Sequence, residues 1–221
     1  MTRPSTVARF DLTVNEEGLR RAVERAKERG VVLPTFEQMK DPSKVPQKIK
    51  ERLKGVGLWD VDPANLFRIT WKNEPMERGG LYGGVNFVEL PPLLTGVKAK
   101  IVALVGKWFP TGCHKVGAAY ACLVPRLVTG QFDPATQKAV WPSTGNYCRG
   151  GAYTAQLLGC DSIAILPEGM SRERFDWLKS VAGEVITTPG GESNVKEIFD
   201  KAKELRRNRD DAVVFNQFEE F

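Results

Sequence analysis

One lysine and one histidine stand side by side where the chain passes from an apolar run to a helical pattern. Residues 108–119 read WFPTGCHKVGAA, and His114, the only histidine of the chain, directly precedes Lys115 in this lysine turn (residues 108–115). Lys115 lies at the predicted start of a helix, where the helix dipole disfavours a cation. An amine at such a place is a candidate for imine formation with a carbonyl group, a reaction that requires its neutral form. On this stretch alone, an ordinary solvated lysine explains the sequence as well.

A second loop, about thirty residues later, is suited to binding an anion. Residues 141–152 read WPSTGNYCRGGA, and the small residues of this asparagine loop allow backbone N–H groups to turn toward one point at a helix start. Ser143 and Thr144 add hydroxyl donors, and Asn146 adds an amide. No lysine follows Gly150, as a P-loop requires, and the glycine spacing does not fit the dinucleotide fingerprint. A glycine-rich strand-to-helix turn that binds nothing is the alternative.

The elements around both loops alternate between apolar strands and amphipathic helices. From about Lys98 onward, strands are predicted at KIVALVG, KAVWP, SIAIL, EVITT and AVVF, with helices between them. This order predicts an α/β fold, a parallel sheet with helices on both faces in three αβα layers, and KIVALVG is expected to be a buried strand of it. Ligands of such sheets bind beyond the carboxyl ends of the strands, where both loops lie.

The first part of the chain has a different pattern. Asn15 is predicted to cap a helix that ends near Gly30, and two further helices are predicted after Thr35 and over VPQKIKERLKG. The stretch that follows is rich in glycine and proline, which predicts loops with short extended pieces. We therefore expect a helical and loop-rich N-terminal extension over residues 1–85 and an α/β region over residues 86–221.

The composition argues against several classes of protein. The 221 residues are 42% hydrophobic and 27% charged with a net charge of +5, and charges of both signs alternate along the predicted helices, as on solvated faces. No apolar run reaches the roughly 18 residues that cross a bilayer, and the N-terminus lacks the apolar core of a secretory signal. The four cysteines form no CxxC pair, which argues against a metal site. We expect a soluble, cytoplasmic protein with no metal, nucleic acid or membrane partner.

Taken together, the motifs resemble those of an enzyme family. FPTGCHKVGAA, PSTGNYCRGGAYTAQLLG and SIAILPEGMSRERFDWLKSVAGEVI follow one another as in the fold-type II pyridoxal-phosphate-dependent enzymes, the tryptophan synthase β and cysteine synthase family. The similarity covers roughly residues 86–220, and Pro167, Lys179 and the Gly183–Val185 stretch also fall in the family's places. The α/β region would then be a cofactor-binding region.

The resemblance implies pyridoxal 5′-phosphate as the cofactor and a role for each loop. Lys115 would form the internal aldimine and shuttle the substrate α-proton. Asn146 would hydrogen-bond the 3′-oxygen of the cofactor. His114 would lie near the cofactor phosphate or ring, unless it makes only a hydrogen bond at the helix start. The substrate carboxylate would be held by four residues of the asparagine loop, Ser143, Thr144, Gly145 and Tyr147.

The implied activity is that of a lyase or a β-replacing transferase, similar to cysteine synthase or threonine deaminase. It would perform β-elimination or β-replacement on a small amino acid such as serine, threonine or an O-activated serine. Cys113 stands where the family usually has serine, and Cys148-Arg149-Gly150 replaces a Thr-Gly pair. Members of the family are usually dimers, which implies a homo-oligomer. The family's glycine-rich phosphate loop normally comes later than residue 221, so the resemblance also implies a complementary C-terminal half on a longer or a second chain. A non-catalytic subunit or binding module with this fold, and an unrelated nucleotide-binding α/β protein, are the alternatives.

Overall fold

Two compact units make up the described chain. The computed structural model describes residues 11–219, so the first ten residues of the predicted extension and the last two of the α/β region lie outside it. One unit combines the chain up to residue 31 with the chain from residue 118 onward, and the other consists of residues 32–117. The predicted division at residue 85 stays a prediction. Within residues 11–219, no helix is long and apolar enough to cross a membrane.

The described residues contain both helices and strands, connected by short 3₁₀ turns. The helices are α1 (Glu16–Glu28), α2 (Phe36–Lys40), α3 (Gln47–Leu53), α4 (Pro92–Thr95), α5 (Lys115–Val128), α6 (Asn146–Leu157), α7 (Arg172–Val181) and α8 (Val195–Asn208). The strands are β1 (Phe87–Leu90), β2 (Ile101–Leu104), β3 (Lys138–Pro142), β4 (Asp161–Pro167), β5 (Glu184–Thr188) and β6 (Ala212–Val214).

A parallel sheet in the order β5-β4-β3-β6 forms the centre of the first unit. Successive residues of a strand point to opposite faces. Val140 of β3 and Ile163 of β4 belong to one core cluster with Ile198 of α8. The next residue of β3, Trp141, meets α6, and a Cβ at Gly151 would lie 2.1 Å from its ring, so glycine alone allows this approach. The predicted α/β fold, with a parallel sheet flanked by helices, is confirmed.

The first helix of the predicted extension belongs to the unit that holds the parallel sheet. Asn15 caps α1 as predicted, because its side chain accepts a backbone N–H of the first turn at 3.0 Å. Arg21 Nε lies 2.7 Å from Asp133 Oδ2, and Arg25 Nε donates to the Gly159 carbonyl at 3.0 Å. These contacts fasten α1 to the loops that follow α5 and α6.

A small apolar core and one buried arginine organise residues 32–117. The helices predicted after Thr35 and over VPQKIKERLKG are present as α2 and α3, and Leu53 of α3 packs in the core with Phe67. Arg68 is fully buried, and its guanidinium donates to the carbonyl groups of Leu53, Val56 and Gly80. These bonds compensate for moving the guanidinium out of water.

The expectation of a buried strand at KIVALVG is wrong. β2 pairs antiparallel with β1 in a separate two-stranded sheet, and all four residues of β2 are exposed. An apolar run predicts a strand, but it does not determine which strand becomes its partner. Here the partner is β1, with Phe87 opposite Leu104 and Leu90 opposite Ile101. This local hairpin (residues 87–104) is separate from the four-stranded parallel sheet.

Candidate active site

Within the lysine turn, the chain reverses direction in a tight turn that contains Pro110. The Gly112 N–H donates to the Phe109 carbonyl at 2.9 Å, which closes a four-residue turn with Pro110 and Thr111 in its centre. Thr111 has φ 63° and ψ 9°, the conformation that a type II turn requires at its third residue. Proline favours the second position of such a turn, but the third normally belongs to glycine or asparagine.

Thr111 is therefore a strained residue. It is the one non-glycine residue with positive φ in the described chain, and its β-branched side chain makes that conformation unfavourable. Its side chain is 96% buried (4% exposed), and its hydroxyl has no hydrogen-bond partner within residues 11–219. Strain and an unpaired buried hydroxyl at one residue are typical of a functional site. Thr111 was not predicted as a site residue, although the sequence Pro-Thr-Gly at residues 110–112 indicates a turn.

The predicted reactive residues follow this reversal immediately. Lys115 is the first residue of α5 and is half-buried, so its side chain is less solvated than an ordinary surface lysine. His114 is exposed, and its ring stacks on Trp71 with the centroids 5.6 Å apart. The half-buried Cys113 places Sγ 4.0 Å from His114 Nδ1. A Cβ at Gly106 would lie 3.3 Å from this ring, so the chain before the turn passes close to His114.

The asparagine loop connects β3 to α6 in the other unit. The Ser143 N–H donates to the Ile165 carbonyl at 3.2 Å, and Ser143 Oγ accepts the Gly145 N–H at 3.2 Å. Arg174 of α7, which no sequence motif singled out, donates from Nη1 to the Thr144 carbonyl at 3.3 Å. Its Nε is buried and has no hydrogen-bond partner in the described residues. A guanidinium therefore lies beside the start of α6.

The residues after Gly145 divide between solvent and core. Asn146 is exposed at the first position of α6, whose N-terminus has no side-chain cap within the described chain. Tyr147 is buried, and its hydroxyl contacts the Phe215 carbonyl at 3.3 Å and Cys122 Sγ at 3.4 Å. Burial raises the pKa of the Cys148 thiol to about 12, so this thiol stays protonated near neutral pH.

The structure groups the predicted residues into two sets. His114 and Lys115 stand together at the start of α5, in the unit of residues 32–117, whereas the residues from Ser143 to Tyr147 stand together at the start of α6, in the other unit. Their joint use in one site stays a prediction. Each set fits its own proposed ligand. Lys115 offers an amine for a carbonyl cofactor, and the start of α6 offers uncapped N–H groups near a guanidinium for an amino-acid carboxylate.

The described chain has a parallel sheet, an amine at the start of α5 and an anion-binding loop at the start of α6. A known class of enzyme shares these features. Residues 80–220 match the family model described as pyridoxal-phosphate dependent enzyme. The chain belongs to this family. The recognised family and the expected cofactor, pyridoxal 5′-phosphate, are thereby confirmed.

Curated relatives lie within the same family. The chain is 30% identical over 139 residues to a protein described as probable cysteine synthase of Bacillus subtilis, an alignment covering 63% of this chain and 44% of that one. It is 28% identical over 129 residues to cystathionine beta-synthase of Saccharomyces cerevisiae, covering 58% of this chain and 25% of that one. The chain thus spans less than half the length of these relatives.

Solved structures share the fold. O-acetyl serine sulfhydrylase isoform 3 of Entamoeba histolytica superposes with a TM-score of 0.52 at 20% identity, covering 62% of this chain and 42% of that one. O-acetylserine dependent cystathionine beta-synthase of Helicobacter pylori gives a TM-score of 0.52 at 21% identity, covering 60% and 43%. At these identities the likeness concerns the fold alone.

Proposed function

We propose that this chain carries the lysine and the substrate-carboxylate loop of a pyridoxal-phosphate-dependent enzyme that performs β-elimination or β-replacement on a small amino acid. The observation that carries the proposal is the placement of Lys115, half-buried at the start of α5 directly after a strained turn. The family match supports the cofactor, and relatives described as cysteine synthase and cystathionine beta-synthase support the reaction class.

Each residue set has a defined task in this proposal. Lys115 Nζ would hold the cofactor covalently, and in its neutral form it would accept the proton from the substrate α-carbon and return it. His114 would lie beside the cofactor ring or phosphate, with its plane fixed by the stack on Trp71. Pyridoxal phosphate, when bound, supplies an electron sink that stabilises negative charge at that carbon.

The asparagine loop would hold the amino acid by its carboxylate. Ser143, Thr144 and Gly145 lead into the uncapped N-terminus of α6, where backbone N–H groups and the positive end of the dipole favour an anion. The nearby guanidinium of Arg174 adds a positive charge to the same end of the helix. Asn146, which is exposed, would hydrogen-bond the 3′-oxygen of the cofactor ring. For Tyr147 the proposal is limited to its backbone N–H, since its hydroxyl contacts core atoms.

The cofactor attachment is tested by trapping. The purified chain is mixed with pyridoxal phosphate, its visible absorbance is recorded, and the adduct is reduced with borohydride and located by peptide mapping. We expect a single adduct at Lys115, its loss in Lys115→Arg, and its retention in Lys107→Arg, which changes an exposed lysine eight positions earlier. A principal adduct at any other lysine, or no adduct at all, contradicts the proposal.

The reaction is tested with serine-type substrates. Purified protein is incubated with serine, threonine or O-acetylserine, with and without sulfide, and both keto acid and thiol-containing amino acid are measured. Release of keto acid without sulfide indicates β-elimination, and formation of cysteine with sulfide indicates β-replacement. Cofactor attachment at Lys115 without either product would support a binding module in place of an enzyme.

A further inference from the structure

Residues 58–73 contact the lysine turn at several points. This segment ends before residue 80, where the family match begins, so the match assigns it no role. It lies in the same compact unit as the turn. We call it the bracing segment. Its contacts involve both the backbone and the aromatic side chains on either side of the strained Thr111.

Two hydrogen bonds join the backbone of the turn to this segment. The Thr111 N–H donates to the Leu58 carbonyl at 3.2 Å. The side chain of Asn73 is buried, and its Nδ2 donates to the Trp108 carbonyl at 2.5 Å. The backbone is therefore held at a residue before the reversal and at the strained residue itself. A strained conformation persists only when its surroundings fix it, and these two bonds provide such a restraint.

Trp71 touches both ends of the lysine turn. Its ring meets Phe109 edge to face, with the centroids 5.0 Å apart and the planes at 79°. It also stacks on His114, the neighbour of Lys115, at 5.6 Å and 25°. Further along α5, Ile69 Cγ2 lies 3.3 Å from the position of a Cβ on Gly117. One aromatic side chain thus fixes the entry to the turn and the residue immediately before the lysine.

We propose that the bracing segment positions Lys115, with Trp71 and Asn73 as its principal positioning residues. Asn73 fixes the backbone at Trp108, Trp71 fixes Phe109 and His114, and the start of α5 is held between these contacts. The amine then approaches its carbonyl partner from a defined direction, which accelerates imine formation by reducing the orientations to be searched. This inference rests on the proposed function for the identity of the partner, whereas the bracing itself is a property of the polypeptide.

The test uses Trp71→Leu, Trp71→Phe and Asn73→Ala, with Phe36→Leu as the matched control. Phe36 is a large apolar residue of the same unit that is 71% exposed. The first measurement is amide hydrogen exchange of the peptide covering residues 106–117 in protein without cofactor. Loss of one hydrogen bond or one ring contact should accelerate exchange there by about tenfold. Trp71→Phe, which keeps an aromatic ring, should recover most of the protection, and Phe36→Leu should not change it.

The second measurement follows the reactivity of Lys115. Borohydride trapping with pyridoxal phosphate is timed by mass spectrometry, and acetylation by an amine-reactive ester is timed in parallel without cofactor, with the exposed Lys48 as the internal reference. We expect trapping at Lys115 to slow by about tenfold in Trp71→Leu and Asn73→Ala, with partial rescue in Trp71→Phe. The ratio of Lys115 to Lys48 acetylation should change in the same variants.

The outcomes separate this inference from the proposed function. Faster exchange with unchanged trapping and unchanged acetylation would show that the segment is only structural and would overturn the positioning role. Unchanged exchange would overturn the bracing. Absence of any pyridoxal phosphate adduct at Lys115 in the unaltered protein would refute the proposed function, and acetylation would then decide the positioning. If Trp71→Leu does not fold, Asn73→Ala and Trp71→Phe carry both measurements.

Discussion

Replacing Thr111 by glycine should make the protein more stable while weakening its proposed site. The residue holds φ 63° with a β-branched side chain, a conformation that costs about 2–3 kcal/mol outside glycine. Its buried, unpaired hydroxyl costs about 1 kcal/mol more. Glycine removes both penalties but loses two buried carbons, Cβ and its methyl group, about 1.6 kcal/mol, and about 0.5–1 kcal/mol of chain entropy. The expected net gain in the free energy of unfolding is about 1 kcal/mol.

Urea unfolding followed by tryptophan fluorescence measures this change. With a slope of about 2 kcal/mol per molar urea, Thr111→Gly should raise the midpoint by about 0.5 M. Thr111→Ala is the matched control, because alanine removes the hydroxyl and the methyl group but keeps the strained backbone. Its free energy of unfolding should stay within about 0.5 kcal/mol of the original value. A glycine variant less stable than the alanine variant would refute the assignment of strain to this residue.

The same variants separate stability from binding. Thr111 precedes Lys115 by four residues, and its hydroxyl has no partner in the described part of the chain, so we expect it to contact the proposed cofactor. Thr111→Gly and Thr111→Ala should both bind pyridoxal phosphate about tenfold more weakly, as expected for loss of one hydrogen bond to a charged group, and Thr111→Ser should retain the affinity. Equal affinity in all three variants would contradict a ligand-facing role.

Three further predictions concern the fold. Gly151→Ala places a Cβ 2.1 Å from the Trp141 ring and should lower the free energy of unfolding by about 3 kcal/mol in urea titrations, whereas Gly191→Ala, which meets no atom within 4 Å, should leave it unchanged. Arg68→Met leaves three carbonyl groups without their donor and should cost about 3 kcal/mol in the same assay. Hydrogen bonds from Arg209 hold the pKa of Asp211 below its usual value, so their stabilisation is complete above about pH 4 and is lost as the pH falls through the lowered pKa. Urea titrations from pH 6 to pH 2 should show a loss smaller by about 0.5 kcal/mol in Arg209→Gln, and an unchanged pH profile in that variant would contradict the linkage.

Local sequence signals predicted most elements because each was consistent over several residues. Asn15 caps its helix as expected, and EVITT corresponds to β5 without adjustment. The parallel sheet follows from apolar strands alternating with helices, since parallel strands require such crossover connections. The same pattern placed Lys115 and the asparagine loop at helix starts, where the structure has them.

The remaining features depend on contacts between distant residues. The sequence Pro-Thr-Gly does not show whether Thr111 or Gly112 occupies the third position of the turn. In the structure Thr111 occupies it, and its N–H donates to the distant Leu58 carbonyl. The contact between Asn73 and Trp108 joins residues 35 positions apart, and Asn73 lies in a stretch that the sequence predicts only as loops with short extended pieces. The pairing of β2 with β1 likewise depends on the intervening chain folding back, which apolar composition alone does not specify.

The hairpin of residues 87–104 has a practical consequence for handling the protein in concentrated solution. Within residues 11–219, β1 and β2 pair with each other alone, so each leaves one backbone edge open, and Phe87, Val88 and Leu104 are each more than half exposed. An open edge with apolar flanks is a template for another strand. Lys100 and Glu89 form an exposed ion pair, 3.0 Å apart, that a strand added at this hairpin would have to desolvate. The net charge of +5 repels one copy from another and salt screens this repulsion, so concentrated stocks should remain clearest at low ionic strength.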